Sequence, residues 1–339
     1  MTIRTWACDL PLPSVDVVPT MTAITQDELG GPEVLHLAEI DRPAPSIGEI
    51  LVRVHAAAVN PADEMNRRTG VFSGRPPFVL GWDVSGVVAA VGPGVTVVRP
   101  GDEVFGLLPF PRGAGAYAEF AVGPARAFVR RPDGLSHVEA AALPLAGLTA
   151  WQALVETADV SPGDRVLVVG GAGGVGHLAV QIAAARGAHV IAVASGTNEA
   201  LVRALGAAEV LDRRSIDWSE ALTGLDVVFD TVGGDPARGI RVLRQGGVYV
   251  TTLPQRLAEL ADGARERGVR ATGLFVESDR LGLSALVDLV AAGALRPVVA
   301  AVHPFRDAAA AHAAAHGPGK VVLVPDDADP LDTDRQAAP

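Results

Sequence analysis

The sequence predicts an α/β protein of two domains, an all-β barrel-like unit followed by a doubly wound parallel sheet. Three observations carry that expectation. The run VLVVGGAGGVG at 166–176 ends an apolar stretch in glycines and passes directly into the helical pattern HLAVQIAAARGA. From about residue 145 onward, apolar runs alternate with helix patterns, as in a parallel sheet flanked by helices. Before that point the apolar runs are short and broken by Gly and Pro (EILVRVHAAAV, VSGVVAAVGPGV, DEVFGLL, AYAEFAV), which suits the strands of a barrel-like unit.

The glycine run is the most informative element. Gly171, Gly173 and Gly176 fit the spacing G-x-G-x-x-G between a strand and a helix. The first permits a tight turn, the second lets backbone approach a pyrophosphate, and the third lets helix pack closely on strand. The helix N-terminus then offers N–H groups and a positive dipole end to phosphate. Strands are expected at 165–170, 188–193, 209–212, 225–230, 247–252 and 269–276, with helices such as EALVRALGA and PARGIRVLRQG between them. After the helix LSALVDLVAAGAL, the runs RPVVAAVHPF and GKVVLVP are expected to return to the first domain. The expected division is therefore 21–144 with 298–325 for the first domain and 145–297 for the second, with the ligand site between them.

Composition narrows the function. A chain of 339 residues with 49% hydrophobic and 20% charged residues is a globular protein with ample core. Its net charge of −11 argues against nucleic acid or an anionic membrane as partner. Lys320 is the only lysine, and the single cysteine, Cys8, excludes an internal disulfide framework or a multi-cysteine metal site. No apolar stretch approaches the ~18 residues of a membrane span, and a cytoplasmic location is expected. Residues 1–20 lack the apolar core of a secretory signal and read as an extension before Met21. Residues 326–339 form an acidic, proline-containing tail expected to be disordered.

With these residues in hand, the chain resembles the medium-chain dehydrogenase/reductase superfamily, in its zinc-independent quinone oxidoreductase branch. The resemblance rests on GGPEVL at 30–35, VNPAD at 59–63, PFVLGWDVSGVV at 77–88, GDEVFG at 101–106, GAYAEF at 115–120, AALPLAGLTAWQAL at 141–154, GGVGHLAVQ at 173–181, FDTVGG at 229–234 and GKVVLV at 319–324. It implies a GroES-like β-barrel domain joined to a Rossmann domain, a nicotinamide cofactor, a small-molecule electron acceptor, and a homodimer or homotetramer. In zinc-dependent relatives the catalytic metal is held by Cys, His and Cys. The corresponding positions here are Asn60, Trp82 and a site near Leu145, and neither Trp nor Leu suits Zn²⁺.

Without that Lewis acid, alcohol oxidation loses its alkoxide stabiliser, whereas reduction of a quinone or an electron-poor C=C remains feasible. By resemblance, Asn60 and Asp63 lie near the reacting atoms and Thr149 near the nicotinamide. Two other readings stand beside these: a loop in which Asn60 and Asp63 bond their own backbone, and a helix start at Thr149. Trp82, Phe72, Phe110 and Phe275 are candidates for a substrate pocket, with core packing as the alternative. Phe72 occupies the place where many relatives carry a tyrosine, and phenylalanine donates neither a proton nor a hydrogen bond. That favours quinones or reactive enones over enoyl thioesters, whose enolate needs protonation at carbon.

Gly174, Val175, Val232, Leu253 and Phe275 join the expected cofactor contacts by the same resemblance. The acid that binds the ribose 2′-OH of NAD is missing, since Ala194 and Ser195 stand there, and this favours NADPH. Ser195 and Thr197 are expected to donate hydrogen bonds to the 2′-phosphate, and Arg203, Arg213 or Lys320 to supply positive charge. His177 opens the helix after the glycines, with phosphate contact as one reading and capping or surface exposure as the default. His312 and His316 are spaced i, i+4, for which a surface helix face is the expectation rather than a metal site. Two further functions stay open: an enoyl or tailoring reductase of a biosynthetic pathway, and a non-redox binding protein that keeps the fold.

Overall fold

The computed structural model describes residues 18–253, 257–314 and 317–326. The expected extension over 1–20 and the acidic tail over 326–339 lie outside the described residues except for 18–20 and 326, and so does His316. The first strand, Thr20–Gln26, already begins one residue before Met21.

The second half builds a six-stranded sheet in which every neighbouring pair is parallel. Its spatial order is Glu209–Asp212, His189–Ala194, Arg165–Val169, Leu225–Asp230, Leu243–Thr251, Arg270–Gly273. The strand order therefore reverses beside Arg165–Val169, and the crevice at that switch point is where such sheets bind dinucleotides. The strand is apolar from Val166 onward because both its faces are covered. Val166 and Val168 pack into one hydrophobic cluster and Leu167 into another. The edge strand Arg270–Gly273 is shorter than the expected 269–276. The residues beyond it leave the sheet to cross between the domains, where Glu277 N–H and C=O both bond Gln152 and Ser278 Oγ donates to Leu107 O.

The other half is a seven-stranded sheet around Glu49–Ala58, with a small three-stranded sheet beside it. The last strand, Lys320–Val324, is buried at every residue and pairs antiparallel with Glu49–Ala58. This half is not purely β. Asn60-Pro61-Ala62-Asp63, for which a loop was one reading, starts the helix Pro61–Thr69. Pro61 suits the first helical turn, Asp63 Oδ2 accepts the Asn60 N–H at 2.8 Å, and Gly70 at φ 64° ends the helix.

Candidate active site

Gly170 turns the chain off the strand at φ +86°, a conformation that side chains resist. Its N–H and that of Gly171 both donate to Val193 O, which pins the loop to the neighbouring strand. A Cβ on Gly176 would lie 2.0 Å from Gly170 O, so the helix Gly176–Ala185 approaches that closely only with glycine there. A Cβ on Gly173 would meet only Gly170 O, at 3.3 Å. The sequence spacing pointed to 171, 173 and 176, but the left-handed turn belongs to Gly170.

Over this loop runs a cleft of about 1000 Å³, at the upper end of small-molecule sites (roughly 300–1,000 Å³). Gly173, Gly174 and Val175 form its floor, and Val232, which is 59% exposed, stands in its wall. One end is lined by Ser195, Asn198, Arg213 and Arg214, the other by Asn60, Pro61, Leu145 and Lys320. Glycine floor, helix N-terminus and a basic outer end together fit a phosphate-bearing dinucleotide. Arg214, Asn198 and Trp218 also line the cleft and were not singled out from sequence. The doubled arginine of DRRS was visible there, whereas nothing marked Trp218, over whose ring the Arg238 guanidinium sits at 4.9 Å.

Several expected contacts lie elsewhere. Arg203 bonds Glu199 Oε1 at 2.9 Å and Ala208 O at 3.1 Å, tied to its own helix and the following turn rather than to the cleft. Thr197 is exposed and reaches the site only through Ser195 Oγ, 3.0 Å away. Leu253 is 44% exposed and abuts Gly233 without lining the cleft. Thr149 is buried and donates to Leu145 O at 2.6 Å, one helical turn back, so it too is absent from the lining. Asp63 is fully buried, with its carboxylate accepting the N–H groups of Asn60 and Gly81. It shapes the turn and does not face the cleft. Burial lifts its pKa to about 7, with the Asp83 charge adding to the rise and the two N–H groups opposing it.

Lys320 lines the cleft beside Gly174, but its ammonium, the group expected to meet the 2′-phosphate, is buried and engaged within the chain. Its ammonium donates to Val59 O at 3.0 Å and to Asn60 Oδ1, and lies 3.6 Å from Asp83 Oδ2. Asp83 in turn accepts Asn60 Nδ2–H at 2.8 Å and Leu145 N–H at 2.7 Å. Burial pushes the Asp83 carboxyl up and the Lys320 amine down, and each charge is the chief support of the other. This network ties the Asn60 turn, the strand after Trp82 and the start of the helix Pro144–Trp151 to the last strand. The Asn60 amide is spent within it, which makes Asn60 a wall of the inner cleft.

His177 is buried, with Nδ1–H donating to Gly173 O at 2.9 Å and Nε2 accepting Val298 N–H at 3.0 Å. It bolts the glycine loop to the segment crossing back to the first domain, and burial lowers its pKa to about 4. His312 is likewise internal, facing Arg67 Nη1 at 2.8 Å and Tyr117 Oη at 3.2 Å. Phe275, expected at the cofactor, instead stacks on Phe110 at 4.9 Å, in one group with Phe72 and Trp82. Among the described residues, no group of three or more His, Cys, Asp or Glu is placed to hold a metal ion. No helix among them is long and apolar enough to cross a membrane.

The fold and cleft define a two-domain oxidoreductase of the nicotinamide-dependent kind, a barrel domain joined to a dinucleotide-binding sheet. Residues 46–133 match the alcohol dehydrogenase GroES-like domain and residues 205–323 the zinc-binding dehydrogenase family. Human quinone oxidoreductase is 32% identical over 326 residues, covering 90% of this chain and 98% of that one. The human mitochondrial NAD(P)H oxidoreductase RTN4IP1 is 34% identical, covering 84% of this chain and 83% of its own. Among solved structures, the quinone oxidoreductase from Coxiella burnetii superposes with a TM-score of 0.85 at 35% identity, covering 90% of this chain and 99% of that one. The chain belongs to the medium-chain dehydrogenase/reductase superfamily, in its quinone oxidoreductase branch.

Proposed function

We infer that this protein is a zinc-independent, NADPH-dependent reductase of quinones or α,β-unsaturated carbonyl compounds. The observation that carries the reading is the cleft itself, which runs from Arg213 and Arg214 over the glycine floor to the Asn60–Asp83–Lys320 network. At its outer end, Ser195 stands where an acid would select NAD, and the neighbouring Arg213 and Arg214 carry the charge that complements a 2′-phosphate. At its inner end, the metal-ligand positions of zinc-dependent relatives hold a spent amide, a buried indole and a leucine, a donor set that does not suit zinc.

Bound in the cleft, the nicotinamide would supply the hydride. The chain contributes position: the glycine loop holds the phosphates, Val232 supports the cofactor from the side, and the Lys320 network fixes the wall near Asn60. A quinone or enone needs little more, because conjugation spreads the arriving charge onto oxygen and water can protonate it. The names of the relatives favour this reading, and so does 2-methylene-furan-3-one reductase of Solanum lycopersicum, 34% identical over 329 residues. A cytoplasmic homodimer or homotetramer is part of the proposal, with the edge strand Arg270–Gly273 as the joining surface.

The test is steady-state turnover of the purified, metal-analysed protein with NADPH and NADH against quinones, enones and enoyl thioesters. NADPH-dependent reduction of quinones or enones that survives chelator treatment is the expected result. Turnover confined to thioesters, or lost with a chelated metal, overturns it.

A further inference from the structure

Four aromatic rings meet beside the inner end of the cleft without lining it. Phe110 stacks on Phe275 at 4.9 Å, and Trp82 meets Phe110 at 5.1 Å and Phe72 at 5.8 Å, both edge to face. They come from four segments and both domains. Trp82 precedes the strand Asp83–Val91, Phe72 follows the helix Pro61–Thr69, Phe110 follows the strand Glu103–Leu107, and Phe275 follows the strand Arg270–Gly273. Trp82 is fully buried, yet its indole Nε1–H has no hydrogen-bond partner among the described residues. Buried indole N–H groups nearly always find one.

Resting on the reductase reading above, we propose that this ring cluster is the acceptor site in its closed form. It accepts flat, conjugated aromatic carbonyl compounds, and the Trp82 indole N–H donates to the acceptor's carbonyl oxygen. The position is right. Trp82 is bonded in sequence to Asp83, whose carboxylate holds Asn60 and Leu145, two residues that line the inner cleft. The four rings are also held differently. Trp82 is fixed, since its carbonyl accepts Leu108 N–H at 2.8 Å and its neighbour is locked in the buried network. The three phenylalanines sit outside helices and strands, and Phe275 is 50% exposed at the outer side of the group.

A flat ring entering between Phe110 and Phe275 replaces one stacking contact by two, so opening the cluster is compensated. A flexible acyl chain offers no such exchange, which makes the site selective for aryl and quinonoid acceptors. In the reaction, the acceptor gains a hydride from the reduced nicotinamide, and the electron pair moves through the conjugated system to the carbonyl oxygen. The indole N–H holds that oxygen until water delivers the proton, and the hydroquinone or saturated carbonyl leaves with the nicotinamide oxidised. Donors aimed at developing oxyanions act most strongly in such dry surroundings.

The experiment pairs Trp82→Phe with an observation that needs no turnover. With naphthoquinone and NADPH, Trp82→Phe is expected to lose on the order of 10²-fold in kcat while NADPH affinity stays unchanged. Phe275→Ala, at a half-exposed position, is expected to raise KM for naphthoquinone about tenfold with kcat retained. In isotope-labelled wild type holding NADP⁺, added naphthoquinone is expected to shift one indole N–H resonance, the one missing from Trp82→Phe. If the wild type reduces quinones while that resonance stays still, or if Trp82→Phe keeps full kcat, the site assignment falls. If the resonance moves but no acceptor is ever reduced, the site stands and the reductase reading falls.

Discussion

The floor of the cleft and its inner end are built on different principles. The glycine floor binds through backbone: Gly170 turns, Gly176 lets helix meet strand, and the helix N-terminus points at the space above. The inner end is built from side chains that bind one another, Lys320 to Asp83, Asp83 to Asn60, and four rings together. A backbone site tolerates no Cβ but asks nothing of distant residues. A side-chain site asks for partners hundreds of positions apart in sequence, as Lys320 and Asn60 are. The first is a local pattern and the second a product of the whole fold.

The sharpest break between floor and inner end is substitution at the floor. Gly173→Val is expected to weaken dinucleotide binding by at least about 10²-fold with little change in melting temperature, because its Cβ meets only Gly170 O at 3.3 Å and the rest of the side chain enters the cleft. Gly176→Val, with 2.0 Å to the same oxygen, loses fold as well as binding. Titration of NADPH with each variant, alongside thermal melts, separates the two. Equal affinity in Gly173→Val would move the phosphates off this loop.

At the inner end the largest effect is on stability. Lys320→Met leaves Asp83 buried without its cation, and breaking such a pair by removing one partner costs about 3–5 kcal/mol. The double variant Lys320→Met with Asp83→Asn is expected to recover much of that loss. The Asn60 amide, released from Lys320, can then turn its oxygen toward the new Asn side chain. Urea unfolding of the single and double variants measures the coupling, and additive losses would show that the pair does not act as a unit.

This contrast accounts for what the sequence made legible. Glycine spacing, apolar strands and alternating helices are local signals, and they led to the parallel sheet and to the cleft floor at Gly173–Gly176. Lys320 carried no local signal beyond being the only lysine. Charge alone suggested a phosphate reader, whereas the last strand buries that side chain opposite Asp83. Asp63 and Thr149 were similarly drawn toward chemistry by resemblance, and the structure spends them on a turn and on a helical carbonyl. Phe275 was read both as a cofactor contact and, with Phe72 and Phe110, as a pocket or core residue, and the structure groups its ring with those two.

His177 joins the floor at Gly173 to Val298, whose carbonyl accepts the Lys320 N–H, and gives the comparison a pH dependence. Its ring is held neutral, taking the Val298 N–H on Nε2, and burial lowers its pKa from 6.5 to about 4. The unfolded chain therefore binds that proton more readily than the folded one. The stability linked to His177 is full above pH ~6.5 and is lost as pH falls toward 4, in total about 3 kcal/mol. His177→Gln is expected to flatten that part of the stability profile between pH ~6.5 and ~4. An unchanged slope would show that other groups carry the acid sensitivity.

The smallest effects belong to the outer end, where charges stand in water. Arg213 and Arg214 line the cleft, and Arg203 does not. Arg213→Ala is expected to weaken NADPH by about tenfold, roughly 1.4 kcal/mol for one charged contact, while leaving NADH nearly unchanged. Arg214→Ala should do the same to a lesser or equal degree. Arg203→Ala gives up an exposed i, i+4 pair with Glu199 and an exposed bond to Ala208 O, and should alter neither affinity, with stability moving by less than about 1 kcal/mol. Titrating both cofactors against all three variants decides between the arginines. Equal losses for NADPH and NADH at Arg213 and Arg214 would mean that these residues attract any dinucleotide and that the choice of cofactor is made by Ser195 and its neighbours.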